Sequence, residues 1–440
     1  MKNTTRRVAR ILIGLAVSFC LCICCIAADL LRRNPVSTRI DIWSWNVAAK
    51  CLDAATPAFE QKYPHIDAKV VQSGTRLQSR LMLSLISGVG APDVTQLQCA
   101  EAPYYVASGR LMDLTSVAEP YEKQFSPAFW ANCVHEGRVY AIPWDMGPCA
   151  IFYKRDIFKK YSADIDEIET WEDYIALGER IYELSGGRTK LFPVSVGGMG
   201  SYFEMLIQQA RGGIFDKQGR IDIDSPATRK VLRVLRRMMQ SSARADVGVF
   251  SHEFFASLPK ENIATYPIAV WFGSSIKDYA KQTSGNWGVF RLPAIEPGGL
   301  RVSNWGGSVL AIPDQGKNKE ESWKFIEFAL CTRETQLVNY RDHDLFPALM
   351  TTFDDPFFDE PDPFFGGQKV RRFFASGIED ITVLNRTKDW NEAMRYVSQA
   401  LSLWATSHWD DEKFIRDIER ELHSKLKRDI APESNQGEGL

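Results

Sequence analysis

The stretch from Arg39 to Gln98 switches twice between strand-like and helix-like patterning, and this restricts the fold more than any other feature of the chain. "RIDIWSW" (Arg39 to Trp45) alternates apolar and polar residues, as a half-buried strand does. A helix-like stretch follows Asn46, in which Thr56 and Pro57 read as an N-cap and first-turn proline, with Tyr63-Pro64 closing the helix. Ile66 to Ser73 reads as a second strand. Gly74 and Thr75 open a helix that carries Leu77, Leu81 and Leu85 on one face and ends at Gly88 as C-cap. Ala91 to Gln98 is the third strand. Strands separated by helices pair in parallel, which makes this an α/β sheet covered by helices. Ligands of open α/β sheets sit beyond the carboxyl ends of the strands. Those ends are Trp45-Asn46, Ser73 to Thr75 and Gln96 to Gln98, polar and aromatic and without a phosphate-binding glycine loop. "GGMG" (Gly197 to Gly200) is too short a signature for a nucleotide.

Further along, Tyr140 to Phe158 holds two strand-like pieces split by Pro143, Gly147 and Pro148, as expected of a chain crossing between lobes. Helices are expected at Thr170 to Leu184, Ser201 to Arg211 and Thr228 to Met239. Strand-like segments follow at Ile268 to Ser275, Asn286 to Ile295 and Asn304 to Pro313. Trp323, Ile326 and Leu330 mark another helix. Two terminal helices carry Met394, Val397, Leu401 and Trp404, and Ile415, Ile418 and Leu422. Between them and the preceding helices, residues 354–365 hold five acids and three prolines, an ordered connector rather than a calcium loop. At 440 residues the chain exceeds the roughly 250–300 that one hydrophobic core serves, so two lobes are expected.

The N-terminus is built for a membrane. Lys2, Arg6, Arg7 and Arg10 precede 18 uncharged residues, Ile11 to Ala28, and the positive-inside rule then places the bulk of the chain outside the cytoplasm. Ala27 and Ala28 suit cleavage and the span suits retention as an anchor. Cys20, Cys22, Cys24 and Cys25 suggest lipidation, although none follows the small residue that a lipoprotein signal wants. Without residues 1–28 the chain carries 49 basic and 55 acidic residues, a net charge of -6, which argues against a nucleic-acid partner. Cys51, Cys99, Cys133, Cys149 and Cys331 are odd in number and lack CxxC spacing, so they read as buried small hydrophobes and not as a disulfide framework or zinc site.

Catalytic signatures are missing: there is no HExxH and no GxSxG, and His343, between two aspartates, reads as a solvated loop residue rather than a metal ligand. No cofactor or metal is expected. The aromatic residues say more. Trp45, Trp144, Trp271 and Trp305 all fall where an expected strand runs into a turn, beside Asn46, Asp145, Ser274 and Asn304. Sugar rings present apolar C–H faces and a rim of hydroxyls, and such a site combines aromatic plates with Asp, Asn and Gln side chains.

The blocks "GAPDV" and "AIPWD…FYKRDIF" (within 90–158), with "TWEDYIALGERI", "IAVWFGSS" and "GGSVLAIP" followed by a helix and "LFPAL", make the chain resemble the family-1 extracellular solute-binding proteins of carbohydrate ABC importers, the maltodextrin-binding group. The likeness spans about Arg39 to Leu426. It implies a two-lobed α/β, periplasmic-binding-protein-like type II flytrap, with lobes at 38–147 plus 307–350 and 148–306 plus 351–430. It implies a monomeric, non-catalytic receptor at the cell surface or in the periplasm, anchored or secreted, that hands a carbohydrate, expected to be an oligosaccharide, to a permease. Carried onto this sequence, the cleft would take Trp45, Asn46, Gln98, Trp144, Asp145, Gly198, Met199, Trp271, Asn304 and Trp305. A non-sugar solute on the same fold, a polysaccharide-cleaving enzyme and a sensor are the rival readings.

Overall fold

The computed structural model describes residues 37–407 and 409–432; the N-terminal membrane segment lies outside them. β1 (Thr38–Ser44), α1 (Asn46–Lys62), β2 (Ile66–Gln72), α2 (Leu77–Ser87) and β3 (Val94–Gln98) realise the expected alternation. β1 pairs in parallel with both β2 and β3. Gly88 caps α2 at φ +76, a conformation a side chain would strain.

One helix begins earlier than expected. α1 starts at Asn46 and runs through Pro57. Pro57 has no N–H to give to the Asp53 carbonyl, but the Thr56 hydroxyl donates to it at 2.8 Å. That bond keeps the backbone acceptor satisfied, and burial of Ala48, Cys51, Leu52 and Phe59 favours the continuous helix.

The crossing segment is also more continuous than its prolines suggest. Ala141–Lys154 is one long strand, β4, that carries Pro143, Gly147 and Pro148. β5 (Thr265–Ala269), β6 (Trp287–Phe290) and β7 (Asn304–Ala311) all pair with it antiparallel, giving the sheet order β6-β4-β7-β3-β1-β2 with β5 also on β4. The β4–β7 register slips between Asn304 and Gly307, beside Pro148, and again between Ser308 and Val309, beside Pro143, which absorbs the prolines. Within the slip the Gly147 N–H donates to Asn304 Oδ1 at 2.9 Å.

The buried apolar residues form two clusters, and β4 feeds both. Ala150 and Phe152 point into the cluster built on Ile40, Leu97 and Val309, whereas Cys149, Ile151 and Tyr153 point into the one built on Trp171, Phe203 and Leu401. This is the two-residue period of a strand with a core on each face. The second cluster is walled by helices at Trp171–Leu184, Met199–Gln209, Pro226–Gln240, Trp390–Thr406 and Asp411–Leu426. The first of these opens on a capping box between Thr170 and Asp173. In the acidic connector, Asp355 pairs with Arg333 and Arg341 and Asp359 with Arg372, so arginines take up these charges. No helix among the described residues is long and apolar enough to cross a membrane.

Candidate functional site

A cleft of about 590 Å³ opens at the carboxyl ends of β1 and β3, where the slipped β4–β7 pairing passes. It collects residues from segments far apart in sequence: Trp45 and Asn46 after β1, Gln96 and Gln98 on β3, Asp145 on β4, Trp271 after β5, and Trp305 to Ser308 on β7. Phe250, Ser274, Ser275, His343 and Asp344 complete the wall.

The floor is a directed chain of hydrogen bonds across four strands. The Ser44 hydroxyl donates to Gln96 Oε1 at 2.6 Å, and the Trp45 backbone N–H donates to the same oxygen at 3.2 Å. Gln96 Nε2 donates to the Ser308 hydroxyl oxygen at 3.0 Å, and that hydroxyl donates to Asp145 Oδ1. The chain of hydrogen bonds thus ends on a carboxylate. Burial pushes the Asp145 carboxyl up to about 6, against the opposing pull of the Ser308 hydrogen bond. The Gln98 amide is exposed and makes no hydrogen bond among the described residues.

The aromatic wall is held by glycines. Trp271 Nε1 donates to the Trp305 carbonyl at 3.0 Å, which orients the indole, and Phe250 stacks on it at 5.7 Å and 29°. A Cβ on Gly147 would lie 2.1 Å from that same carbonyl oxygen, so only glycine lets β4 pass there. Gly306 and Gly307, at φ +93 and +97, turn the bulge in a region that other residues avoid. Trp271 and Trp305 stand 5.6 Å apart at 65° and pack against both core clusters, at the seam between them.

Not every expected residue reaches the cleft. Trp144 is fully buried in the first cluster, because it precedes Asp145 by one position and a strand turns neighbouring side chains to opposite faces. Asn304 is buried and spends its side chain on the Gly147 N–H and the Gly306 carbonyl, so it shapes the bulge. Met199 is fully buried at the start of its helix, and Gly198 lies beside Ser195 away from the cleft lining. The turn from β5 into the helix Phe272–Tyr279 brings Trp271, Ser274 and Ser275 in together. Sequence reasoning places Gln96 at the carboxyl end of a strand without choosing it for the cleft, and misses Phe250 and Ser308. His343 lies in a stretch already read as solvated, at the end of the helix Arg333–His343, and nothing local to it signals the cleft. Asp344 beside it is paired with Lys277 at 3.0 Å. Among the described residues no group of three or more His, Cys, Asp or Glu could hold a metal ion.

Residues 48–332 match the family described as bacterial extracellular solute-binding protein. An arabinooligosaccharide-binding protein of Bacillus subtilis is 26% identical over 317 residues, 70% of this chain and 72% of that one. Among solved structures, the sugar-binding protein MalE of Xanthomonas citri superposes with a TM-score of 0.76 at 17% identity, covering 89% of this chain and 98% of the other. The ABC transporter associated binding protein of B. animalis subsp. lactis, in complex with β-1,6-galactobiose, superposes with a TM-score of 0.72 at 23% identity, over 89% and 98% of the two chains.

Proposed function

The chain belongs to the bacterial extracellular solute-binding proteins, an extracytoplasmic family of two-lobed α/β binding proteins, and from that premise we propose that it captures a carbohydrate, an oligosaccharide, in the cleft and delivers it to an ABC permease. The observation that carries this reading is the cleft itself. It sets the faces of Trp271 and Trp305 against amide, hydroxyl and carboxylate groups from β1, β3, β4 and β7. Aromatic plates take the C–H faces of a sugar while Gln98, Asn46 and Asp145 take its hydroxyls. Of the two cleft carboxylates among the described residues Asp344 is paired with Lys277, and with so few carboxylates a cationic solute is disfavoured. The name of the arabinooligosaccharide-binding relative supports the choice of an oligosaccharide.

In this reading the lobes at 38–147 plus 307–350 and 148–306 plus 351–430 close on the solute, and closure is a population shift favoured by ligand bonds made only when both lobes touch it. The receptor works as a monomer, without catalysis and without a cofactor, with the N-terminal segment holding or delivering it to the membrane. A thermal-shift screen over mono- and oligosaccharides, with product analysis of the same mixtures, tests it. Stabilisation by a sugar that is recovered intact is expected. Conversion of the glycan would establish the enzyme reading instead, and stabilisation by a non-sugar solute alone would overturn the choice of ligand.

A further inference from the structure

α2 has a second apolar face that the core does not use. Leu77, Leu81 and Leu85 are buried in the first cluster, whereas Met82, Leu83 and Ile86 lie on the outer side of the same helix and Val89 follows just past its end. Leu83, Ile86 and Val89 are 68%, 73% and 71% exposed. Their spacing of three residues makes one stripe. Gly88 and Gly90, at φ +76 and +82, flank Val89 with a turn that leaves it outward. The one charged residue of α2, Arg80, is seated over the Trp43 ring at 3.7 Å. A surface helix ordinarily turns charge to the solvent; this one turns leucine and isoleucine.

The stripe ends at the edge of the sheet where the described chain begins. α2 runs from the carboxyl end of β2 back to the start of β3, so Ile86 and Val89 reach the amino edge on which Thr38 opens β1. Two amides tie that edge together: Gln315 Nε2 donates to the Ser84 carbonyl at 2.9 Å, and Asn318 Nδ2 donates to the Arg39 carbonyl at 2.8 Å. Nine residues, 29–37, separate Thr38 from the apolar segment that ends at Ala28, and they extend to about 30 Å at most. A bilayer that holds this segment therefore lies within reach of the stripe. We propose that Leu83, Ile86 and Val89 form a membrane-docking face, which enters the interfacial layer of the bilayer and holds the protein with its cleft turned away from the lipid. The inference rests on the membrane-directed reading of the N-terminus and is independent of which solute fills the cleft. Few side chains suffice, because a short tether keeps the stripe at an effective concentration on the order of millimolar at the surface. The cleft opens at the carboxyl ends of β1 and β3, the opposite edge of the sheet, so docking leaves it open to solution. A permease that takes solute from the cleft engages that opposite edge, which leaves the stripe to lipid.

Photolabelling of the full chain tests this. The protein is reconstituted in vesicles of phosphatidylcholine and phosphatidylglycerol in equal parts, with a trace of phosphatidylcholine bearing a diazirine in its acyl chain, and labelled peptides are identified by mass spectrometry. Label is expected in residues 1–28 and in residues 77–90. Leu83→Ser, Ile86→Ser and Val89→Ser combined lose the second label and keep the first, whereas Leu83→Met, Ile86→Leu and Val89→Ile combined keep both. Label in residues 1–28 alone in the wild type overturns the docking face and leaves the anchor standing. Label in neither segment removes the anchor and the docking face together. A wild-type dimer in detergent solution that the serine variant abolishes, read by sedimentation, gives the stripe to a second copy and overturns lipid as its occupant. None of these outcomes touches the sugar reading of the cleft. Equal thermal midpoints of wild type and variants in detergent verify that these exposed side chains are not needed for folding.

Discussion

Trp144 and Trp271 both read from the sequence as aromatics where a strand runs into a turn, yet the structure puts them to opposite uses. Trp144 is fully buried, with its indole N–H unpartnered among the described residues. Trp271 stands half-buried on the cleft with its N–H tied to the Trp305 carbonyl and Phe250 stacked beside it. The difference is parity. β4 turns Trp144 inward and Asp145 toward the cleft, so the residue of the pair that lines it is the carboxylate.

The largest expected effect tests the core side of that contrast. Trp144→Ala removes a fully buried ring and should cost about 3–5 kcal/mol of unfolding free energy in a denaturant titration, with the affinity of the folded fraction little altered. A large loss of affinity at unchanged stability would break the comparison. Trp271→Ala should show the reverse in calorimetry and melting, about a hundredfold weaker sugar binding with a shift in stability of only about 1 kcal/mol. Gly147→Ala should cost about 1–3 kcal/mol and weaken binding too, because the new methyl displaces the Trp305 carbonyl that orients Trp271. If its melting midpoint matches the wild type, the bulge is looser than its contacts imply.

Two titrations sharpen the contrast with smaller effects. Asp145, raised by burial to about 6, holds its proton in the folded state across a range where the unfolded chain has lost it. Its contribution to stability is present below about pH 4 and lost as pH rises to about 6, so Asp145→Asn should flatten that part of the stability profile. Sugar affinity should run the opposite way, weakening below about pH 6 as the acceptor is protonated. On the core side, Lys154 at the end of β4 donates to the Ser257, Lys260 and Ile263 carbonyls, and burial lowers its ammonium to about 7. Its contribution is present above about pH 10 and fades as pH falls to about 7, and Lys154→Met should remove that slope. Unchanged profiles in both variants would show that other groups set the pH dependence.

Much of this protein could be read locally. The β-α-β-α-β start, the Gly88 cap and the Thr170 capping box follow from period and capping chemistry, which act within a turn or two of helix. Even the error at Thr56-Pro57 was local in origin: the pair carries the signature of a helix start, and the Thr56 hydroxyl that would have capped the helix instead repaired its interior.

What the sequence by itself determined was the α/β class, the family likeness and the residue types a sugar site needs, because each is written in contiguous residues. Only the tertiary structure decided which residues share a wall. The register slip between Asn304 and Gly307, the parity that turns Trp144 from the cleft and the left-handed turn that lifts Phe250 beside Trp271 all depend on contacts between distant segments. A strand's period says that neighbours point apart. The partner across the sheet settles which of them faces solvent.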